Sequence, residues 1–294
     1  MNISRKKSRV IFNIAVTIFC LVCLVLFCVR LWEERGSVAD AFQLFFCYKW
    51  LIFAEVALMA LNIFIESMRW RVLRGIFTSG SFTDDLTATL RSISLGNMTV
   101  ANVGEHVGRF LCYADNKSAG VASLVASVVQ TAAIVILGGV ALLCLSGASF
   151  VSHEVMVVAM VVLTVSLIIG AVLLFLALRY FSFPDGWGRG VVVALLLNML
   201  KVTIFSFQLS LLLIPGDIPS MFVFVSVLLY YFFVTIVPRI NIIDIGVKGG
   251  LATWIFSTFA SGGVISSAVI FIWALNIVFP SLFGFASLMG RRRA

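Results

Sequence analysis

The sequence predicts an all-α, polytopic integral membrane bundle of about seven or eight spans, with two interrupted or re-entrant segments. Three observations carry this. The 294 residues are 62% hydrophobic and only 12% charged, with a mean hydropathy of +1.13, far from the roughly 25% charge of soluble domains. Several apolar runs reach about 20 residues, the length needed to cross a bilayer. Those runs are broken by two polar, glycine-containing stretches, residues 96–109 and 238–250. Unpaired backbone and charge are costly in hydrocarbon, so such stretches need a protein-lined or watered cavity. The chain reads as a single transmembrane domain over residues 1–294, with no loop long enough for a soluble catalytic domain.

In chain order, the basic stretch 4–9 precedes an apolar run, Val10 to Leu31. That run is long enough to span and lacks a small-residue cleavage site, so it reads as the first helix with a cytoplasmic amino terminus. An acidic loop holding Glu33, Glu34 and Asp40 follows, then a second run, Ala41 to Ile65, ending at Arg69, Arg71 and Arg74, which read as cytoplasmic anchors. Ser81 and Asp84 have capping-box spacing and open a helix from about Asp85 to Met98. Asn97, Asn102 and Gly104 interrupt it before a short helix starting at Glu105. Four more runs are read at Ala119 to Leu145, Val155 to Leu178, Val191 to Ile214 and Met221 to Ile236. Arg179 and Arg189 place their loop in the cytoplasm, and parity then makes residues 85–112 re-entrant from that side. After Pro238 a short apolar piece, Leu251 to Ala260, precedes Gly262-Gly263 and a span to about Met289. If the piece completes a crossing the carboxyl terminus is cytoplasmic; if it dips and returns, the terminus lies outside.

The cysteines fall in or beside apolar helices and read as small buried hydrophobes. His106 and His153 lack metal-ligand spacing, so no metal and no cofactor are expected. The net charge of +8 sits at helix ends, where topology explains it, and no basic domain with interleaved aromatics suggests nucleic acid. Trp32, Trp50, Trp70, Tyr180, Tyr230 and Tyr231 read as interfacial aromatics.

The candidate site follows from the charges. Glu105 and Arg109 are four apart on a helix and share a face. A zwitterionic or charged head group could open such a pair by offering substitute partners. Gly104 and Gly108 form a small-xxx-small step for close helix approach. Arg239, Asp244 and Lys248 form a second charge cluster able to hold a phosphate. Glu55 and Lys201 sit near the middles of apolar helices and each needs a partner inside the bundle. With Asn97 and Asn102, these nine residues are the candidate substrate-binding set; no catalytic set is specified.

The stretch from Leu90 to Tyr113, with Gly104, Glu105 and Arg109, resembles the first signature of the lysylphosphatidylglycerol synthetase/flippase transmembrane region. The stretch from Val237 to Ala252 resembles its second signature, with Lys248-Gly249 where the family carries a basic residue and Glu. Asp244, one turn before Lys248, is the residue placed to supply that carboxylate. The resemblance implies a multi-helix protein of the cell membrane that flips or transports a polar-headed lipid, a phospholipid or a polyprenyl-linked saccharide. The soluble aminoacyl-transferase domain of the bifunctional members is absent from these residues. Membrane lipids are therefore the expected partners, with a second copy or an envelope-biosynthesis protein left open. A non-catalytic scaffold of an envelope assembly and a membrane-embedded lipid-modifying enzyme are the alternatives.

Overall fold

A computed structural model describes residues 35–77, 80–97, 103–110, 116–145, 153–180, 187–213, 220–237 and 244–290, and six single positions between 18 and 33. Every regular element among them is a helix. The expected first span, Val10 to Leu31, lies almost wholly outside the described residues.

The first continuous element, α1 (Arg35–Cys47), replaces the expected acidic loop. Its buried Ala41 and Phe45 pack inward, and Ser267 donates to the Val38 carbonyl at 3.2 Å, so tertiary contacts hold this stretch helical. Tyr48, with φ −88° and ψ 78°, leaves helical geometry and separates α1 from α2 (Lys49–Gly75). The second span thus begins at Lys49, not Ala41. At 27 residues α2 is roughly 40 Å long, more than a hydrocarbon core of about 30 Å.

Next come α3 (Phe82–Asn97) and α4 (Val103–Phe110). The capping box forms: the Asp84 amide donates to Ser81 Oγ at 3.1 Å and the Ser81 amide to Asp84 Oδ2 at 3.4 Å, starting the helix three residues earlier than expected. The long apolar helices are α5 (Asn116–Leu145), α6 (His153–Tyr180), α7 (Trp187–Leu213) and α8 (Ser220–Ile236). His153 and Glu154, expected in a loop, open α6.

The second polar stretch also differs from expectation. Residues 244–250 are not a break but the first half of α9 (Asp244–Phe256). Its turn closes with Ala260 N–H donating to the Phe256 carbonyl at 2.9 Å. Then α10 (Gly262–Trp273) and α11 (Phe279–Gly290) form one long rod through a π-helical turn, Ala274–Val278.

Among the described residues four helices are long and apolar enough to cross a membrane, Lys49–Gly75, Ala119–Leu145, Trp187–Leu213 and Gly262–Leu288, and three shorter apolar helices accompany them. Large apolar side chains point outward, among them Phe53 at 77% and Leu143 at 78% exposure, while Glu55, Arg69, Arg74, Asp85 and Gln208 are buried. That inversion of the soluble pattern defines an all-α, multi-pass membrane protein. Cys28, Cys47 and Cys144 are on this outer surface rather than buried. Apolar residues such as cysteine fit a surface that faces lipid as well as one that faces protein.

The bundle is divided along its length. An apolar core gathers the later turns of α5 and α7, α8, α9 and α10 around Leu209, Leu229, Phe232 and Phe256. Helices α5 and α8 approach closely there because a Cβ on Gly138 would meet Phe232 at 2.6 Å. Charged and amide side chains collect at the other end, where α2 meets α3, α4 and the start of α5.

Candidate functional site

At that end α3 and α4 run antiparallel. Gly96 faces Glu105, and a Cβ on Gly108 would lie 2.7 Å from Ser92 Cα, so two glycines allow backbone contact at either end of the pairing. The contact presents Glu105 and Arg109 toward α2.

Helix α2 supplies the hub. Glu66, which sequence reasoning missed, accepts from three cations: Arg69 Nη2 at 2.5 Å and Arg109 Nη2 at 2.9 Å on Oε1, and Lys201 Nζ at 2.8 Å on Oε2. Arg109 Nη2 also donates to Glu105 Oε1 at 2.7 Å. The expected Glu105–Arg109 pair is therefore two members of a five-residue cluster drawn from α2, α4 and α7. Its frame is specific: the Arg109 guanidinium stacks over buried Trp70 at 4.7 Å, and Arg69 Nη1 donates to the Ala126 carbonyl at 3.2 Å. His106 Nδ1 shares a 2.6 Å hydrogen bond with Ser123 on α5.

Three cations meet two carboxylates, leaving one surplus positive charge. Arg69 and Arg109 are 1% exposed, whereas Lys201 and Glu105 keep 18% and 25% exposure, so the accessible edge is a lysine beside a glutamate. Both line a cavity of about 160 Å³, with Asn62, Glu66, Asn97 and Gln130 among its polar walls. The π-helical turn adds Asn276 and Ile277. Such turns recur at functional sites, because the wider backbone breaks the ordinary packing of a helix.

The other candidates are placed as follows. Asn97 lines the cavity and donates to Ser281 Oγ on α11 at 2.6 Å. Lys201 finds its partner in Glu66. Glu55 is fully buried away from the cavity, beside Gln208. Lys248 is half-buried on α9, and no described residue of that helix lines the cavity. Asn102, Arg239 and the Asp244 side chain lie outside the described residues.

Two expected anchors are structural. Arg74 grips Asp85 through Nε–Oδ1 at 2.6 Å and Nη2–Oδ2 at 2.9 Å, a buried clasp joining α2 to α3. Arg69 belongs to the Glu66 cluster, leaving Arg71 exposed among the three. Trp70 and Tyr230, expected at interfaces, are buried, the first under Arg109 and the second 5.3 Å from Phe256. The sequence signal for Glu66 was its i,i+3 spacing to Arg69; a run of arginines at the end of a span reads more readily as a topology signal.

Fold and cavity together define a multi-pass helical membrane protein with an ion-paired polar chamber between its helices. No protein-family model matches the chain, and a search of characterised proteins finds no relative.

Proposed function

We propose that this protein binds and moves a polar-headed lipid across the cytoplasmic membrane, with its amino terminus inside. The supporting observation is the surplus cation at a cavity whose surroundings are apolar. A lipid-moving protein must hold a polar or charged head while the tails stay in hydrocarbon, and few clustered charges in an apolar bundle suit that task. An anionic group arriving beside Lys201 would balance the surplus and compete with Glu105 for Arg109, so binding and ion-pair exchange would be one event. The motif resemblance points the same way, to a phospholipid or polyprenyl-linked saccharide. In this reading α3 and α4 form the re-entrant hairpin, since an eight-residue helix of about 12 Å cannot cross the core alone.

The test is a fluorescent-lipid movement assay in proteoliposomes, with co-purifying lipids identified to choose the probe. Glu105→Gln with Arg109→Gln removes one carboxylate and one cation together, avoiding an unpaired charge. The double variant is expected to fold and to lose lipid movement. Wild-type rates in a well-folded double variant would make the pair structural and favour a scaffold role.

A further inference from the structure

Glu55 stands apart from every other buried charge in the described structure. It is 0% exposed, and neither carboxyl oxygen makes a well-formed hydrogen bond among the described residues. Eleven residues separate it from Glu66, roughly 16 Å along α2 and into the apolar half of the bundle. Leu51, one turn earlier on the same helix, belongs to the apolar core.

It is nevertheless tied to the cavity. Glu55, Asn62 and Glu66 fall on one face of α2 by spacings of seven and four, as Lys201 and Gln208 do on α7 by a spacing of seven. The two faces meet antiparallel. Lys201 bonds Glu66; Asn62 Nδ2 donates to Gln208 Oε1 at 2.8 Å; Gln208 Nε2 donates to the Glu55 carbonyl at 3.1 Å. A polar seam therefore leaves the cavity at Asn62 and ends at the Glu55 backbone carbonyl, on the residue whose carboxyl lies beyond it.

The charged groups on the packed elements are committed elsewhere or lie at the surface. On α7, Lys201 is on Glu66. On α3, Asp85 is on Arg74 and Arg91 donates to the Ser287 carbonyl at 2.8 Å. On α1, Arg35 and Asp40 are exposed, and so is Lys49 at the start of α2. Among the described residues, the Tyr231 phenol on α8 is a titratable group close enough to Glu55 to feel its charge. An ionised carboxylate in this apolar setting, with no cation beside it among the described residues and only the Gln208 amide nearby, would be strongly disfavoured against the neutral acid.

We propose that Glu55 is a proton-binding site coupled through the Asn62–Gln208 seam to the cavity. In the described arrangement the carboxyl carries a proton. When the α2–α7 seam opens to water, one carboxyl O–H bond breaks, the proton passes to water as hydronium, and the carboxylate remains hydrated; rebinding reverses this. The proton site stands without the lipid reading, whereas its coupling to transport rests on that reading.

Two experiments separate these. Infrared difference spectra of purified protein in lipid nanodiscs, recorded across a pH titration, are expected to show a protonated-carboxylic-acid carbonyl band at neutral pH. The band should persist, shifted, in Glu55→Asp and vanish in Glu55→Gln, which mimics the neutral acid and keeps the fold. A wild-type spectrum lacking a band that Glu55→Gln removes overturns the proton site, whatever the protein transports. In proteoliposomes, an imposed pH gradient should accelerate wild-type lipid movement at least severalfold and leave Glu55→Gln unaffected. Equal gradient dependence in both, or a response to a sodium gradient alone, overturns the coupling. A normal infrared result with no lipid movement in any preparation sinks the lipid reading and the coupling drawn from it, and leaves the proton site in place.

Discussion

Glu66 is the residue on which the chamber depends, because among the described carboxylates it is the one that accepts from all of Arg69, Arg109 and Lys201. Glu66→Gln would leave these cations without a shared carboxylate in a buried setting, and losing one partner of a buried pair costs roughly 3 to 5 kcal/mol. The variant is expected to unfold at much lower temperature in detergent than Glu105→Gln, whose carboxylate is 25% exposed and can exchange its bonds for water. Equal melting temperatures would remove Glu66 from the centre of the site. Lys201→Gln makes a different prediction. It brings cations and carboxylates into balance while sparing the deeply buried arginines, so the fold should survive and affinity for an anionic head group should fall. A charge-assisted hydrogen bond is worth about 1.5 to 3 kcal/mol, or roughly tenfold or more in Kd, measurable by lipid binding in nanodiscs.

Among the elements, the α3–α4 pairing is the most demanding contact. A Cβ at Gly108 would lie 2.7 Å from Ser92 Cα and 2.8 Å from its amide nitrogen, both backbone atoms that cannot swing aside. Gly108→Ala is expected to force the helices apart at a cost of about 1 to 3 kcal/mol and to displace Arg109 from Glu66. Gly250→Ala on α9 is its control: nothing lies within 4 Å of the added methyl, and alanine in a helix gains roughly 0.5 to 1 kcal/mol over glycine. Thermal unfolding of the two variants should move in opposite directions; a tolerated Gly108→Ala would mean the helices are not held this close. The α11 half of the last rod is tied to α3 by Asn97 on Ser281, Ser94 on the Ser281 carbonyl and Arg91 on Ser287. With the π-helical turn beside the cavity, these bonds make α3, α4 and α11 one unit facing α2.

At the scale of the molecule, charge bias leads to a testable orientation in the membrane. Arg179 and Arg189 flank a stretch that positive-inside bias leads us to expect in the cytoplasm. A reporter cysteine at position 185, in a variant with no other cysteine, should react with an impermeant reagent only after cells are opened. Labelling from outside would invert the bundle and turn the α3–α4 hairpin to the opposite face. The burial of Arg69 and Arg74 shifts weight in this argument. Both arginines are paired with carboxylates within the fold, so Arg71 and Arg189, exposed among the described residues, carry more of the charge bias.

The amino-acid sequence by itself determined the class and most of the helix positions. The four apolar runs between Ala119 and Ile236 became helices within about four residues of their expected ends, since hydrophobic length and backbone satisfaction in hydrocarbon leave little choice. Ser81 and Asp84 announced their capping box because that signal is local. Glu105 with Arg109 was readable for the same reason, being four apart on one helix. What the tertiary structure alone decided was which distant side chains share a partner. Glu66 and Lys201 are 135 residues apart, Asn62 and Gln208 are 146 apart, and Asn97 reaches Ser281 across 184. Nothing in spacing encodes such pairs; they exist because α2 and α7 pack antiparallel and α11 returns against α3. Helical continuity through Asp244–Gly250 and the break at Tyr48 were likewise tertiary outcomes, where packing of weakly determined stretches outweighed the local glycine and charge signals.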